Sequence, residues 1–251
     1  MTRTRISPQA DSPDGLIDIH CHILPSLDDG PDDLRLSLAM ARCASASGTA
    51  ILIATPHMTP GIYNNSLARI QQAAERFQEC LRQEQIDLDL RWAADVRLSP
   101  ELLSLVQKGE LPTLNKTGPR YYFLLEFPHD TIPPGSDRVV RRLLDLQHVP
   151  VLTHPERNSA ICANPERLAP FMEMGCLSQL TAGSLAGEFG PNVYRCAVTL
   201  LEKEWAHVIA SDAHDTMRRS PDLLGGVREA VRIVGQTRAM AMVTSIPKAL
   251  L

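Results

Sequence analysis

LIDIHCH, residues 16–22, is a short apolar run that ends in two histidines, and the organisation of the chain can be worked out from it. Its aliphatic residues are typical of a buried β-strand. Because residues two apart on a strand point to the same side, His20 and His22 share one face. A later run, AHVIASDAH at residues 206–214, also ends in polar residues that include a histidine. Asp212 and His214 share a face there if the strand continues that far.

Strand candidates recur at similar intervals along the rest of the chain. After the first run they begin near residues 49, 88, 121, 149, 176 and 206, at intervals of 27 to 39 residues. Segments with the spacing of an amphipathic helix lie between them. Parallel strands joined by helices have this spacing, so we predict an α/β fold with seven parallel strands in a barrel-like sheet. A doubly wound open sheet is the alternative.

The predicted elements have the following bounds. The strands span 16–22, 49–55, 88–96, 121–127, 149–153, 176–182 and 206–211. The helices span 32–47, 65–84, 101–106, 137–147, a segment opened by residues 164–166, then 192–204 and a final long helix at 221–235.

The composition indicates one globular domain. The chain has 251 residues, of which 44% are hydrophobic and 22% are charged, and no Gly/Ser linker divides it. We therefore predict a single domain over residues 15–251. Residues 1–14 are polar and carry positive charge, but they lack the apolar segment of a secretory signal, so we predict a loose lead-in there.

Charge, hydropathy and cysteine content exclude several classes of protein. A net charge of −4 without a long basic run argues against nucleic-acid binding. The apolar runs are far shorter than the roughly 18 residues of a membrane helix, so no membrane insertion is predicted. Six cysteines without a Cys-x-x-Cys pair indicate a reduced protein, which predicts a cytoplasmic location. The sequence does not indicate an oligomeric state.

Polar side chains collect where the predicted strands end. Five of the eight histidines lie there, joined by three carboxylates: His20, His22, His57, His154 and His214, with Asp95, Glu126 and Asp212. The carboxyl ends of parallel strands form the active sites of such folds. Taken singly, His57 or His154 fits a hydrogen-bonded core residue, and Glu126 fits a buried ion pair. Together, imidazole and carboxylate groups in this number predict more than one divalent metal ion.

Arginines follow two of these segments. Arg157 comes three residues after His154, and Arg218 and Arg219 follow His214. Guanidinium groups bind phosphate oxygens through two contacts, which favours a phosphate ligand. No cysteine is followed by Arg six residues later, and the chain lacks a Gly-x-Ser-x-Gly elbow and a Walker loop. Hydrolysis would then depend on water activated by metal.

The motifs together resemble the polymerase and histidinol phosphatase (PHP) superfamily. They are DIHCH (18–22), LDDG (27–30), ATPH (54–57), LLEF (124–127), HPER (154–157) and IASDAH (209–214). Within it, the chain from about Leu16 onward is similar to the bacterial manganese-dependent protein-tyrosine phosphatases of capsule and exopolysaccharide operons. The resemblance implies the PHP fold, a distorted, TIM-like (β/α)7 barrel, and three divalent ions, Mn, with Fe or Zn as alternatives.

The resemblance also implies a role for each site residue. One ion would bind His20, His22 and Asp212, a second would bind Glu126 and His154, and Asp95 would bridge the two. The third would bind Asp29, His57 and His214. Arg157 and Arg219 match arginines that contact phosphate in the family. Asp28, beside Asp29, is predicted to form a turn and cap a helix instead.

Two positions depart from the family pattern. Asp95 stands where the family usually has Glu, and Thr181 stands where it has Asn. Asp is shorter by one methylene, about 1.5 Å of reach. Either the third strand lies closer to the ions, which the small neighbours Ala93 and Ala94 favour, or one contact is replaced by water.

We therefore predict a metal-dependent phosphoesterase that acts on phosphotyrosine in a protein. By resemblance, the substrate is the tyrosine-rich tail of a membrane-bound kinase that regulates capsular or exopolysaccharide synthesis. Two alternatives remain: a small-molecule phosphatase similar to histidinol phosphatase, and a non-catalytic, metal-stabilised partner of the kinase. Nuclease activity is disfavoured by the acidic balance of charge.

Overall fold

Parallel strands alternate with helices in the computed structural model, which describes residues 15–251. The strands are β1 (Leu16–Cys21), β2 (Thr49–Ala54), β3 (His57–Met58), β4 (Asp89–Trp92), β5 (Asp95–Arg97), β6 (Tyr121–Glu126), β7 (His148–Thr153), β8 (Leu177–Thr181) and β9 (Val208–Ala210). The lead-in predicted at residues 1–14 lies outside the described residues.

Helices follow most of the strands. They are α1 (Leu34–Ala46), α2 (Leu67–Gln83), α3 (Leu102–Lys108), α4 (Ser136–Asp145), α5 (Ser159–Ala163), α6 (Ala169–Glu173), α7 (Ala182–Leu185), α8 (Pro191–Glu202), α9 (Leu224–Val234), α10 (Gln236–Ala241) and α11 (Ser245–Ala249). Short 3₁₀ turns cover Pro155–Arg157 and Pro165–Leu168. Within residues 15–251, no helix is both long and apolar enough to span a bilayer.

The strands form two sheets in which every ladder is parallel. One sheet has the order β1-β2-β4, and the other has the order β3-β5-β6-β7-β8-β9. The order within each sheet follows the chain, without the reversal that characterises a doubly wound sheet. The predicted α/β fold with parallel strands is therefore confirmed.

Two of the predicted strands are interrupted. The segment predicted at 49–55 continues beyond Pro56 as β3, and the strand predicted at 88–96 divides into β4 and β5 around Ala93 and Ala94. Proline has no N–H group to donate, so a ladder cannot pass through Pro56 unbroken. Backbone bonds still cross the gap, because the Asp95 amide donates to the Pro56 carbonyl over 3.2 Å.

The first and last strands meet at their carboxyl ends. The Asp212 amide donates to the His20 carbonyl over 2.8 Å, and the His22 amide donates to the Ala213 carbonyl over 2.9 Å. A parallel bridge pairs Cys21 with Ala213 between these two bonds. The histidines at the end of β1 are thereby held beside the polar residues that follow β9.

The helix that was predicted to be the last in the chain is followed by two more. The helix expected at 221–235 is α9, and it stops at Val234, before Gly235 with a φ of 81°. That backbone conformation favours glycine and ends the helix. Two further helices follow, so the expectation of one last long helix is wrong. The α10–α11 segment returns to the sheet, where the Ile17 amide donates to the Val243 carbonyl over 2.8 Å.

Candidate metal centre

The carboxyl ends of the strands bring all the predicted ligands to one place. His20 is the penultimate residue of β1, His57 and Asp95 begin the short strands β3 and β5, and Glu126 ends β6. The remaining ligands lie in the loops after β1, β7 and β9: His22, Asp29, His154, Asp212 and His214. Most of these side chains are buried, while that of Asp29 is 45% exposed. The strand ends thus form a polar site that is open at Asp29.

Three groups of these side chains are close enough to hold an ion each. They are His22, Asp29, His57 and His214; His20, His22 and Asp95; and His57, Asp95 and Glu126. Within each group the ligand atoms lie within 4.8 Å of one another. Some residues occur in two groups, which is the arrangement expected when neighbouring ions share ligands.

Asp212 and His154 border these groups. Asp212 Oδ1 lies 3.5 Å from His20 Nε2 and 3.4 Å from His22 Nε2. His154 Nε2 lies 3.8 Å from Glu126 Oε1. The side chains predicted to hold the first and second ions are therefore neighbours in the structure, although their role as ligands stays a prediction.

The two histidines of the first motif are oriented by partners behind them. His20 Nδ1 lies 2.9 Å from Gln179 Oε1, and His22 Nδ1 lies 2.6 Å from Asp28 Oδ2. The opposite nitrogens, His20 Nε2 and His22 Nε2, are 3.1 Å apart and face the carboxylates. Outer contacts of this kind fix the ring orientation of metal-binding histidines.

Asp28 and Gln179 are residues that the sequence reasoning missed. Asp28 forms the predicted turn, since its side chain accepts from the Gly30 amide over 3.0 Å, but the predicted helix cap is wrong, because Asp33 is the N-cap of α1. The Asp28 side chain accepts from the His57 amide instead, over 2.9 Å. Gln179 lies on β8, two residues before Thr181, so the sixth predicted strand does reach the site. Its position facing the site could have been inferred from the strand alternation.

Several buried polar atoms in the site lack a hydrogen bond within the described residues. They are His57 Nδ1, Asp95 Oδ2 and His214 Nε2. Leaving such atoms unsatisfied costs about 1–3 kcal/mol each. Imidazole nitrogens and carboxylate oxygens that converge in this way are a suitable ligand set for divalent cations. The residues present therefore fit metal ions.

Burial and charge determine the protonation of these groups. Burial lowers the pKa of His20 and, with Arg157 nearby, lowers the pKa of His154 well below its usual value. A lowered pKa favours the neutral imidazole, which is the form that binds metal. Burial and the charge of Asp95 raise the pKa of Glu126 to about 7. A cation bound beside Glu126 would favour its charged form.

The backbone after β9 differs from the predicted strand. β9 ends at Ala210, and Asp212 has a φ of 51°, so Asp212 and His214 do not alternate along one strand as the sequence suggested. A non-glycine residue in this conformation is strained and is usually held by its surroundings. Asp18 provides part of that hold, because its carboxylate accepts from the Ser211 amide over 3.0 Å and from the Ser211 hydroxyl over 2.5 Å.

Two arginines converge on Asp212 at the edge of the site. Arg157 Nη1 contacts Asp212 Oδ2, and Arg219 Nη2 lies 2.7 Å from the same oxygen. Both side chains remain partly accessible, at 17% and 24% exposure. Arg218 is exposed, and the ion pairs of Asp212 within residues 15–251 do not include it. The pair of arginines that the resemblance implied is therefore the pair that the structure brings together.

A third arginine, Arg97, also reaches the site. Its Nε lies 2.8 Å from Glu126 Oε2. Arg97 follows Asp95 by two residues on β5, so the two side chains share a face. That spacing is the signal in the sequence that could have identified it.

Asp95 is close to two histidines of different groups despite its short side chain. Asp95 Oδ2 lies 3.2 Å from His57 Nδ1 and 3.8 Å from His20 Nε2. Its other oxygen accepts from the Thr153 hydroxyl over 3.2 Å. Ala93 and Ala94, just before it, are fully buried. Two explanations were open for the shorter Asp95: a strand that lies closer to the ions, or a water that replaces one contact. These distances favour the closer strand, β5.

This geometry can be compared with known proteins. A family model described as capsular polysaccharide synthesis, CpsB/CapC, matches residues 16–251. The chain belongs to the CpsB/CapC family. The resemblance inferred from the motifs is thereby confirmed.

Relatives of this CpsB/CapC chain are named as tyrosine phosphatases. The tyrosine-protein phosphatase YwqE of Bacillus subtilis is 40% identical over 205 residues, which cover 82% of this chain and 80% of YwqE. The tyrosine-protein phosphatase CpsB of Streptococcus pneumoniae is 28% identical over 211 residues, with 82% and 86% of the two chains covered. The alignments span most of both proteins.

Solved structures show the same fold. One chain from crystal structures of YwqE and pneumococcal CpsB, described as unique metal-dependent tyrosine phosphatases, has a TM-score of 0.88 at 36% identity, covering 94% of each chain. A β-aspartyl dipeptidase from Fervidobacterium islandicum has a TM-score of 0.57 at 16% identity over 94% of this chain and 72% of its own. The latter likeness concerns the fold alone.

Proposed function

We propose that this CpsB/CapC chain is a metal-dependent protein-tyrosine phosphatase. The observation that carries the proposal is the convergence of Arg157 and Arg219 on Asp212, at the edge of the cluster of histidines and carboxylates. The cluster fits cations and the arginines fit the oxygens of a phosphoryl group, so the two features together fit a phosphate ester. The relatives YwqE and CpsB, named as tyrosine phosphatases, support the choice of phosphotyrosine.

We propose that the cluster binds three divalent ions and that the metal is manganese. His20, His22 and Asp212 would hold one, Glu126 and His154 a second with Asp95 between them, and Asp29, His57 and His214 a third. The shared residues and the unsatisfied buried atoms support this number of cations. Ions bound there supply positive charge for the phosphoryl oxygens and lower the pKa of water.

The protein's own residues bind and orient the substrate. Arg157 and Arg219 each have N–H groups beyond the one directed at Asp212, and these can donate to phosphoryl oxygens as negative charge builds up. Asp212 holds both guanidinium groups in place before substrate binds. Tyrosinate is a fairly good leaving group, since the pKa of tyrosine is about 10, so a dedicated general acid is not required.

The seven-stranded barrel is likewise proposed. Strand β3 follows β2 after a short gap, and β5 follows β4 in the same way. Backbone hydrogen bonds link the two gaps. Counting each pair as one interrupted strand leaves seven, and the bonds between the ends of β1 and β9 close the ring. Such a barrel would place all ligands at its carboxyl-terminal mouth.

The biological setting is proposed from the family. The tail of a membrane-bound tyrosine kinase that regulates capsular or exopolysaccharide synthesis is the proposed substrate, in keeping with the capsular description of the family. We propose that the enzyme acts in the cytoplasm. The six cysteines, all present as free thiols, support a reducing compartment.

A direct assay tests the proposed activity. Protein loaded with Mn is expected to hydrolyse a phosphotyrosine peptide with a kcat/KM at least about ten-fold above that for histidinol phosphate, because the site must accept a phenol ester on a polypeptide. Release of inorganic phosphate is the measurement. Preference for histidinol phosphate would favour the small-molecule alternative, and tight peptide binding without hydrolysis would favour the non-catalytic partner.

Replacing Arg157 or Arg219 by Lys is expected to lower kcat/KM by about ten-fold to a thousand-fold. Lysine keeps the charge but loses the two-point contact with phosphoryl oxygens. The metal content, measured by elemental analysis, is expected to stay unchanged. Arg218→Lys is the matched control, because Arg218 is an exposed neighbour outside the ion pair. Unchanged kinetics in both site variants would show that these arginines do not contact substrate.

A further inference from the structure

A second feature of the molecule lies beside the metal centre. A cavity of about 640 Å³ opens between the turn after β7 and helix α8. Arg157 lines this cavity, and its Nη1 contacts Asp212. Arg195, exposed on α8, lines it as well. Arg157 therefore borders both this cavity and the proposed phosphoryl site.

The lining of this cavity is positively charged. It contains Arg157 and Arg195, and none of the described residues that line it is Asp or Glu. Arg195 contacts the neutral side-chain oxygen of Asn192 and has no carboxylate partner among the ion pairs of residues 15–251. A guanidinium without a counter-charge beside a cavity favours an anionic ligand.

A second cavity at the site has the opposite character. Its volume is about 450 Å³, and it opens at Asp29 and His214. Asp32 and Asp215 line it too, against the single positive charge of Arg218. The metal centre is thus bordered by one basic and one acidic cavity, and a polypeptide crossing the site would meet a different charge in each.

We infer that the cavity between Arg157 and Arg195 binds an acidic side chain of the substrate polypeptide, next to the phosphotyrosine. This inference rests on the proposed function, because a phosphoryl group held by Arg157 places the neighbouring residues of the substrate at the cavity. A carboxylate matches the planar guanidinium of Arg195 in shape and charge. The acidic cavity repels the same side chain, so the charge pattern also favours one direction of the bound chain.

Arg195 variants test the inference by substrate preference. We expect the metal-loaded enzyme to prefer a phosphotyrosine peptide with flanking Glu over the same peptide with Ala by about two-fold to five-fold, the range of an exposed charge pair. Arg195→Ala is expected to remove this preference, and Arg195→Glu to shift it toward a peptide with flanking Lys. Arg141→Glu, an exposed position on α4, is the charge-matched control and is expected to retain it.

Hydrolysis of p-nitrophenyl phosphate separates this inference from the proposed function. This small ester reaches the metal centre without entering the cavity, so Arg195 variants are expected to hydrolyse it at the normal rate. Normal hydrolysis with no preference for acidic peptides in the unsubstituted enzyme overturns the inference and leaves the proposed function in place. Failure to hydrolyse either kind of substrate overturns the proposed function.

Alkylation of Cys162 measures occupancy without activity. Cys162 lines the cavity and is partly exposed. A peptide with a non-hydrolysable phosphotyrosine analogue and flanking Glu is expected to slow its reaction with iodoacetamide at least about three-fold more than the Ala peptide does. Cys43 and Cys80 lie outside the cavity and serve as internal references. Equal protection by both peptides, or protection that persists in Arg195→Glu, overturns the inference.

Discussion

Strong chelation is expected to abolish phosphatase activity, with a loss on the order of a thousand-fold or more, and added Mn is expected to restore it. A cysteine thiol of the described site cannot act in place of the ions. Its cysteine, Cys21, is fully buried and donates to the Ala213 carbonyl, and burial raises the pKa of that thiol well above its usual value. A protonated, enclosed thiol does not attack a phosphoryl group.

Phosphate release during titration with Mn is the measurement for this prediction. The temperature of unfolding provides a second readout, since removal of ions that bind only the folded state lowers stability. As a control, each of the six cysteines is changed to Ser, and activity is expected to persist in every correctly folded variant. Loss of activity on alkylation of a folded, metal-loaded enzyme would contradict a metal-based mechanism.

Asp95→Ala is expected to empty at least one ion site and to lower activity by at least about a hundred-fold. Asp95 is close to ligands of two groups through a single oxygen, at 3.2 Å from His57 and 3.8 Å from His20. Its removal would therefore withdraw a shared anionic ligand from two ions. Asp89→Ala, an exposed position on β4 shortly before it, is the control. Full metal content in Asp95→Ala would show that Asp95 is not a ligand.

Asp95→Glu tests how the short side chain is accommodated. The distances indicate that the strand already lies close to the histidines, so the longer Glu is expected to crowd the site and lower activity. If water filled a gap between Asp95 and an ion, Glu would instead restore a direct contact and activity would hold or rise. Elemental analysis of both variants, run beside the rates, distinguishes the two outcomes.

The sequence was sufficient to predict the alternation of parallel strands with helices and the polar side chains that cluster at the strand ends. Apolar runs that end in His or Asp mark both a strand and its functional end, because parallel strands all place their carboxyl ends on one side. For this reason His20, His57, Asp95 and Glu126 could be assigned to one site before the fold was known, and the structure brings them together. Helix α2, which lies within the predicted helical segment 65–84, buries Ile70, Ala74, Phe77 and Leu81 at helical spacing.

The sequence was a poorer guide where backbone conformation depends on distant contacts. Asp212 reaches the site through a left-handed backbone conformation. Asp18 on β1 stabilises it by accepting from the Ser211 amide after β9, and no pattern in the neighbouring sequence predicts this contact. The third predicted strand divides near Ala93, beside the break at Pro56 in the neighbouring strand, and the sequence of the third strand alone does not indicate this division.

Local periodicity therefore determined which residues form strands and which strand ends carry metal-binding groups, because both depend on neighbours along the chain. The supporting contacts were decided by packing. Asp28 became the partner of His22, and Gln179 and Arg97 joined the site, because the folded chain brings their side-chain atoms within 3 Å of those of His22, His20 and Glu126. Hydrogen bonds and ion pairs act over such short distances that their partners depend on the folded arrangement of the whole chain.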